Sequence, residues 1–257
     1  MEAADSDRGV VLAGRHAVLE AVRSGARQIE EILVEGEEGV RRHGATLALA
    51  RQAGIRCSQA PRAALSALAG TLHHQGIVAR VAARAYASFE ELLAVPATRG
   101  EPSLFLALDQ VQDPGNVGNL FRTAEALGVH GVIVLRHQAA GLTTHAVRAA
   151  AGALEHLAVA RVGNLVQTLE ILKKEGCWVV GAVAEMAQAV PPWRLDLRGG
   201  VALVLGSEGR GLRPLVARAC DALVRIPLRG RVGSLNVAAA GAALLYEVQR
   251  QRAAESG

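Results

Sequence analysis

The sequence predicts an α/β protein of two unequal domains, the larger one built on a parallel sheet. Three observations carry this. From residue 104 onward, short and nearly all-apolar runs alternate with helical stretches, the pattern of strands buried on both faces. A break marked by Pro96, Gly100 and Pro102 separates that region from a shorter α/β stretch in front. The 257 residues, 51% hydrophobic and 20% charged, are long for one core and comfortable for two.

In the front domain, residues 10–83, Val11 to Arg23 reads as a helix with Val11, Val18, Leu19 and Val22 along one stripe. Ile29 to Val34 reads as a strand, Val40 to Ala53 as a helix and Ile55 to Ser58 as a strand. Pro61 opens a short helix to Leu68, and Gln75 to Ala83 closes the domain as a strand. Residues 84–103 read as a linker with at most one short helix, Phe89 to Leu93.

In the large domain, residues 104–257, the strands are Leu104–Leu108, Gly131–Leu135, Leu157–Val162, Trp178–Ala184, Val201–Leu205 and Leu223–Ile226. The helices are Val117–Leu127, Thr144–Ala151, Leu165–Glu175, Leu212–Ala219 and a long terminal one from Asn236 to about Arg252. Parallel sheets bind ligands beyond the carboxyl ends of their strands. The loops after Leu108, Leu205 and Ile226 are therefore the ones to inspect.

Composition narrows the classes. No apolar run approaches the ~20 residues of a membrane span, and the polar, acidic start is unlike a signal peptide, so a cytoplasmic protein is expected. Cys57, Cys177 and Cys220 lie far apart without ligand spacing, and His73-His74 would point to opposite faces of a strand, so no metal is expected. The net charge of +4 is mild. Lys173 and Lys174 are the only lysines, and arginine suits phosphate and stacked bases, although a GC-rich genome explains the same bias.

In the first loop Asp113-Pro114-Gly115 makes a turn, Asn116 is placed to cap the following helix, and Arg122 alone would read as a solvated helical arginine. The second loop, Gly206-Ser207-Glu208-Gly209-Arg210-Gly211, lacks the Gly-Lys-Ser/Thr of a phosphate loop and the GxGxxG of a dinucleotide site. Glu208 there is a candidate helix cap. In the third, Ser234 and Asn236 stand where the terminal helix begins and read first as caps. Val237, Gly241, Leu244 and Val248 form the stripe of that helix, whose small residues allow close approach of another backbone, within the fold or across a dimer.

Together the loops resemble the signature motifs of the SpoU (TrmH-like) RNA 2′-O-ribose methyltransferases. They match as Asn116-x-Gly118-x-x-x-Arg122, as Leu205-Gly206-Ser207-Glu208-Gly209-x-Gly211, and as Ile226-Pro227 followed by Ser234-Leu235-Asn236-Val237. At the front, Gly14-Arg15-His16-Ala17-Val18-Leu19-Glu20-Ala21-Val22 and His74-Gln75-Gly76-Ile77-Val78-Ala79 resemble the ribosomal-protein-like substrate-binding domain of the subgroup that methylates a guanosine in large-subunit (23S) ribosomal RNA. The resemblance implies a C-terminal SPOUT α/β domain with a trefoil knot, a homodimer, and S-adenosylmethionine as methyl donor without a metal.

It also implies roles. Leu205, Gly206, Gly211, Ile226, Leu228, Ser234 and Leu235 would hold the donor. Asn116, Arg122, Glu208, Ser234 and Asn236 would form the catalytic set. The family proposal makes Arg122 the base, but arginine stays protonated in proteins. A role that fits its charge is to pin the adjacent phosphate and lower the pKa of the ribose hydroxyl. Ser234 and Asn236 would orient the nucleotide or Arg122, and Glu208 would fix its loop. Either subunit is open as the source of the arginine. Other readings are a SpoU enzyme for transfer RNA or another ribosomal nucleotide, and a non-catalytic ribosome-assembly protein. A nucleotide-binding dehydrogenase fails on the missing fingerprint.

Overall fold

The computed structural model describes residues 10–231 and 233–254. They form two compact units, one of residues up to Ala85 together with Leu142–His156, the other of Tyr86–Gly141 together with the residues from Leu157 onward. Among the described residues no helix is long and apolar enough to cross a membrane.

The first unit runs β1 (Val10–Ala13), α1 (Arg15–Ser24), β2 (Ile29–Glu35), α2 (Gly36–Arg42), α3 (Gly44–Gln52), β3 (Cys57–Ala60), α4 (Arg62–Ala69) and β4 (Ile77–Val81). Its sheet has the order β1-β4-β2-β3, antiparallel except for β2 with β3. The helix expected over Val11 to Arg23 is shorter, because Val10–Ala13 pairs with β4 as a strand. Gly14, at a φ of 98°, turns the chain between the two and donates its N–H to Ile77 O at 3.1 Å. The helix expected over Val40 to Ala53 is likewise two helices meeting at His43, whose imidazole turns inward to Gln75 O at 2.9 Å.

Residues Leu142–His156, expected within the large domain, group with this first unit. They carry α7 (Thr144–Ala149) and a 3-10 turn at Ala153–Glu155. The segment packs on α1 and β1 and is tied there by charge: Glu155 is buried, and Arg27 Nε donates to its Oε2 at 3.1 Å while a second guanidinium nitrogen meets Oε1. An unpaired buried carboxylate would be costly, so the pair locks the segment in place.

The second unit contains α5 (Phe89–Arg99), β5 (Leu104–Asp109), α6 (Pro114–Ala126), β6 (Gly131–Leu135), β7 (Ala158–Val162), α8 (Leu165–Lys174), β8 (Trp178–Ala182), β9 (Val201–Gly206), α9 (Pro214–Ala219), β10 (Ala222–Val224) and α10 (Val237–Ala253). Most of the stretch expected to be a linker is α5, started by a capping box in which Ser88 and Glu91 satisfy each other's backbone N–H groups. Its Leu92 is fully buried. The six strands are all parallel in the order β10-β8-β9-β5-β6-β7. Every residue of β5 and β6 is buried, as the continuous apolar runs require.

The β8–β9 connection borders β10. Strand β10 pairs with β8 on one edge. On its other edge it meets Val190, which belongs to that connection: Val190 N donates to Leu223 O and Arg225 N to Val190 O. The later strand is thus held on both edges by residues of one earlier segment. The terminal helix α10 then packs on α6. A Cβ on Gly241 would stand 2.6 Å from Leu120 Cδ2 and 2.9 Å from Leu205 Cδ1, so the small-residue stripe serves close packing within the unit.

Two buried imidazoles give the first unit a pH dependence. His43 donates from Nε2 to a carbonyl, leaving a buried Nδ1 without a partner among the described residues, and His74 Nδ1 accepts Gly76 N–H at 3.1 Å while Nε2 meets Ser66 Oγ. Burial holds both below the ordinary histidine value. Each therefore stabilises the fold fully above the unfolded-state pKa, and that contribution is lost as pH falls through the lowered folded-state value. Thermal melts taken from about pH 7 to about pH 5 should show a falling midpoint that flattens in a His43→Gln/His74→Gln variant.

Candidate active site

Three loops leave the carboxyl ends of β5, β9 and β10, and local chemistry shapes each. After β5, α6 is capped by Asp113, whose Oδ1 accepts Asn116 N–H at 2.7 Å, with Pro114 in the first turn. The cap is thus Asp113 rather than Asn116, which leaves the Asn116 side chain uncommitted to its own helix. After β9, the loop doubles back on itself: Ser207 and Gly211 exchange both backbone hydrogen bonds, at 3.2 and 2.9 Å. A Cβ on Gly206 would lie 2.2 Å from Gly211 C, and Gly211 has a φ of 66°, so this bend excludes side chains at both. After β10, Asn236 caps α10, its Oδ1 accepting Ala238 N–H at 2.9 Å and Ala239 N–H at 3.3 Å.

The loops are joined by one directional chain of hydrogen bonds. Because Asn236 Oδ1 faces two helix N–H groups, its Nδ2 must point away, and it donates to Asn116 Oδ1 at 2.9 Å. Asn116 Nδ2 then donates to Glu208 Oε1. The chain ends on a carboxylate, which polarises every link before it. Glu208 is therefore not a helix cap. At helix α9 the N-cap position is Arg213, whose side chain makes no capping bond to the helix.

Beside this chain opens a cavity of about 370 Å³. Of the residues expected to hold a donor, Leu205, Gly206, Gly211, Ile226, Leu228, Ser234 and Leu235 all line it, together with Glu208 and Asn236. Leu228 and Leu235 are large apolar side chains left 38% and 44% exposed at the opening, which suits contact with a flat ligand face. The Ser234 hydroxyl has no hydrogen-bond partner among the described residues. Asn116 touches the cavity only through its bonds to Glu208 and Asn236. Arg122 stands apart: it is exposed on α6, does not line the cavity, and has no side-chain partner among the described residues.

Sequence reasoning missed Ala182, Val183 and Val224, the ends of β8 and β10 that form the cavity's apolar floor. It also missed Asp109, fully buried at the end of β5 and bonded to Arg213. A lone carboxylate closing an all-apolar strand was the available signal.

The arrangement binds and aligns rather than attacks. Burial pushes the Cys220 thiol up to about 12 and raises Cys177 as well, so neither is a ready nucleophile. Among the described residues no group of three or more His, Cys, Asp or Glu could hold a metal ion. Glycine bends, apolar walls and a few convergent polar groups form a pocket for a small molecule with one flat apolar part.

Known proteins share this fold. Residues 103–246 match the SpoU rRNA Methylase family, and residues 11–87 match the family of RNA 2′-O ribose methyltransferase substrate-binding domains. The 23S rRNA (guanosine-2′-O-)-methyltransferase RlmB of Ralstonia nicotianae is 41% identical over 243 residues, covering 94% of this chain and 96% of that one. The AdoMet-bound rRNA methyltransferase of Sinorhizobium meliloti superposes with a TM-score of 0.75 at 26% identity, over 95% of this chain and 87% of that one. The SpoU methyltransferase AviRb of Streptomyces viridochromogenes, in complex with AdoMet, superposes with a TM-score of 0.75 at 27% identity, over 95% and 90% of the two chains.

The two asparagines separate scaffold from site. Asn236→Ala removes a helix cap and should lower stability by about 1 kcal/mol. Asn116→Ala leaves both caps in place and should keep the urea midpoint near that of the unaltered protein. Urea denaturation of the two variants side by side checks the difference.

Proposed function

This chain belongs to the SpoU rRNA methylase family, and we propose that it transfers the methyl group of S-adenosylmethionine to the ribose 2′-hydroxyl of a guanosine in 23S ribosomal RNA. The observation that carries the reading is the convergence of the three loops, through Asn236, Asn116 and Glu208, on one apolar, glycine-bent cavity. The guanosine and the 23S molecule are supported by the RlmB relative, which aligns over nearly the whole chain, and by the front residues that match a substrate-binding domain.

The cavity fits the donor chemically. Leu205, Ile226, Leu228 and Leu235 offer apolar surface for the adenine, and the bend at Gly206 and Gly211 lets backbone approach closely. When bound, S-adenosylmethionine supplies a methyl group already activated on a sulfonium, so positioning is the chain's main contribution. Glu208 holds the glycine-rich loop through Asn116. Ser234, with its hydroxyl uncommitted, and Asn236 stand at the rim to orient the nucleotide.

The acceptor hydroxyl is a weak nucleophile at neutral pH and needs help losing its proton. A guanidinium does not accept that proton. Arg122 instead draws the neighbouring phosphate to itself and lowers the hydroxyl's pKa, so that the proton leaves to solvent as the bond forms. Its exposure outside the cavity of its own chain supports delivery by a second copy, in a homodimer.

Calorimetry with S-adenosylhomocysteine and methyl transfer to ribosomal RNA test the assignment together. Arg122→Ala should abolish transfer while leaving affinity for S-adenosylhomocysteine near normal. Full activity of that variant would remove Arg122 from the reaction. Mixing Arg122→Ala with a Leu235→Glu variant, each inactive alone, should restore transfer if the arginine serves the other copy's cavity; no recovery after subunit exchange would place it in its own. Primer-extension mapping in a strain lacking the protein should show one 23S guanosine losing its 2′-O-methyl group, and loss at a transfer RNA position instead would overturn the substrate.

A further inference from the structure

Asp109 is the last residue of β5, and its Cα pairs across the ladder with Gly206, where the glycine-rich loop begins. Its side chain is fully buried, yet it contacts the residue at which that loop ends. Asp109 Oδ2 accepts the backbone N–H of Arg213 at 2.9 Å, and Oδ1 accepts Arg213 Nε at 2.7 Å with a second guanidinium nitrogen also at 2.7 Å. One carboxylate thus closes the loop from Gly206 to Arg213 at its base.

Three features make this closure matter to the cavity. The loop has no slack, since Gly206 already lies too close to Gly211 for any side chain. Its residues Gly206, Ser207, Glu208, Gly209 and Gly211 form one wall of the cavity. The Asn116–Glu208 bond fixes only the loop's far side. Burying a carboxylate is costly, and a pair with its charge matched and its lone pairs filled is the form in which it persists. A neutral side chain at 109 would satisfy the backbone N–H of Arg213 but not hold its guanidinium by charge.

We infer that Asp109, acting through Arg213, is a positioning residue that sets the donor side of the site: it holds the glycine-rich wall at the spacing the methyl donor requires, without touching donor or RNA. This rests on the proposed use of S-adenosylmethionine. It is separable from the acceptor chemistry of Arg122, which lies on another element and outside the cavity.

Asp109→Asn keeps the shape and removes the charge, and Arg213→Lys keeps the charge and removes the fork. Asp109→Asn should raise the Kd for S-adenosylhomocysteine and the KM for S-adenosylmethionine about tenfold, with a smaller loss for Arg213→Lys. The kcat at saturating donor and the KM for RNA should move far less. A merely structural role would instead lower the melting temperature and the active fraction, reducing kcat with donor KM unchanged. If Asp109→Asn does not fold, Arg213→Lys decides the matter on the same two constants. Donor KM and Kd within about twofold of the unaltered protein in the folded variants would overturn the inference and leave the methyl-donor reading standing. Failure of the unaltered protein to bind S-adenosylhomocysteine would overturn both.

Discussion

Two amide side chains and a carboxylate hold the site together, and the direction of their hydrogen bonds is dictated from one end. The first N–H groups of α10 have no partners within their own helix, and Asn236 Oδ1 takes two of them. That choice turns Asn236 Nδ2 toward Asn116, which turns Asn116 Nδ2 toward Glu208. Reversing any one amide would set donor against donor. Helix α10, the start of α6 and the glycine-rich loop are therefore registered to one another by the ordinary need to satisfy a helix end, and the cavity inherits its shape from that registration.

The chain can be this short because the fold brings the loops to one edge. In a parallel sheet all carboxyl ends face the same way, and the central neighbours β9 and β5 place Gly206 beside Asp109 in the ladder. Strand β10, held between β8 and Val190, carries the third loop to the same edge. Gly241 then lets α10 sit close enough to Leu120 and Leu205 for its N-terminus to reach Asn116. Each of these steps is steric or a backbone bond.

The strands of the large unit were legible because burial on both faces writes them as continuous apolar runs. The motif residues were legible only in combination: singly Asn116, Glu208, Ser234 and Asn236 read as caps, and the three loops in order after strands gave them another meaning. What could not be read was which group satisfies which. Asn116 and Glu208 are plausible caps by residue type, and only the presence of Asp113 at the true cap frees the first for the second. The strand at Val10–Ala13 was hidden because Val11 fits a helical stripe, and its partner, β4, lies far along the chain. His43 divides a helical pattern for a reason located at Gln75. Leu142–His156 is tied to the first unit by the Arg27–Glu155 pair, a contact between residues more than a hundred positions apart that no local pattern records.

Arg122 belongs to a different group of charges, those left exposed and without a side-chain partner among the described residues, as are Arg210, Arg229 and Arg231 on the other two loops. Near the relay, Asn116, Glu208 and Asn236 have polar partners in the chain, and so does the buried Asp109. Among the described residues Arg122 is left exposed without one, although Glu125 lies three residues on in the same helix. A guanidinium committed to an internal carboxylate would have to give up that bond before meeting a phosphate, and the cost would fall on every encounter with RNA. Left uncommitted, it loses only water and counterions, and release of those counterions favours binding. An acceptor made of RNA brings its own negative charge, so the chain needs to supply a positive group that is positioned but not neutralised. The donor side is the reverse: its charges, Asp109 with Arg213, are spent inward, on holding a wall still. Paired charges that build the cavity and unpaired ones left at the surface are the division that the proposed reaction, joining a small bound donor to a large polyanion, would use.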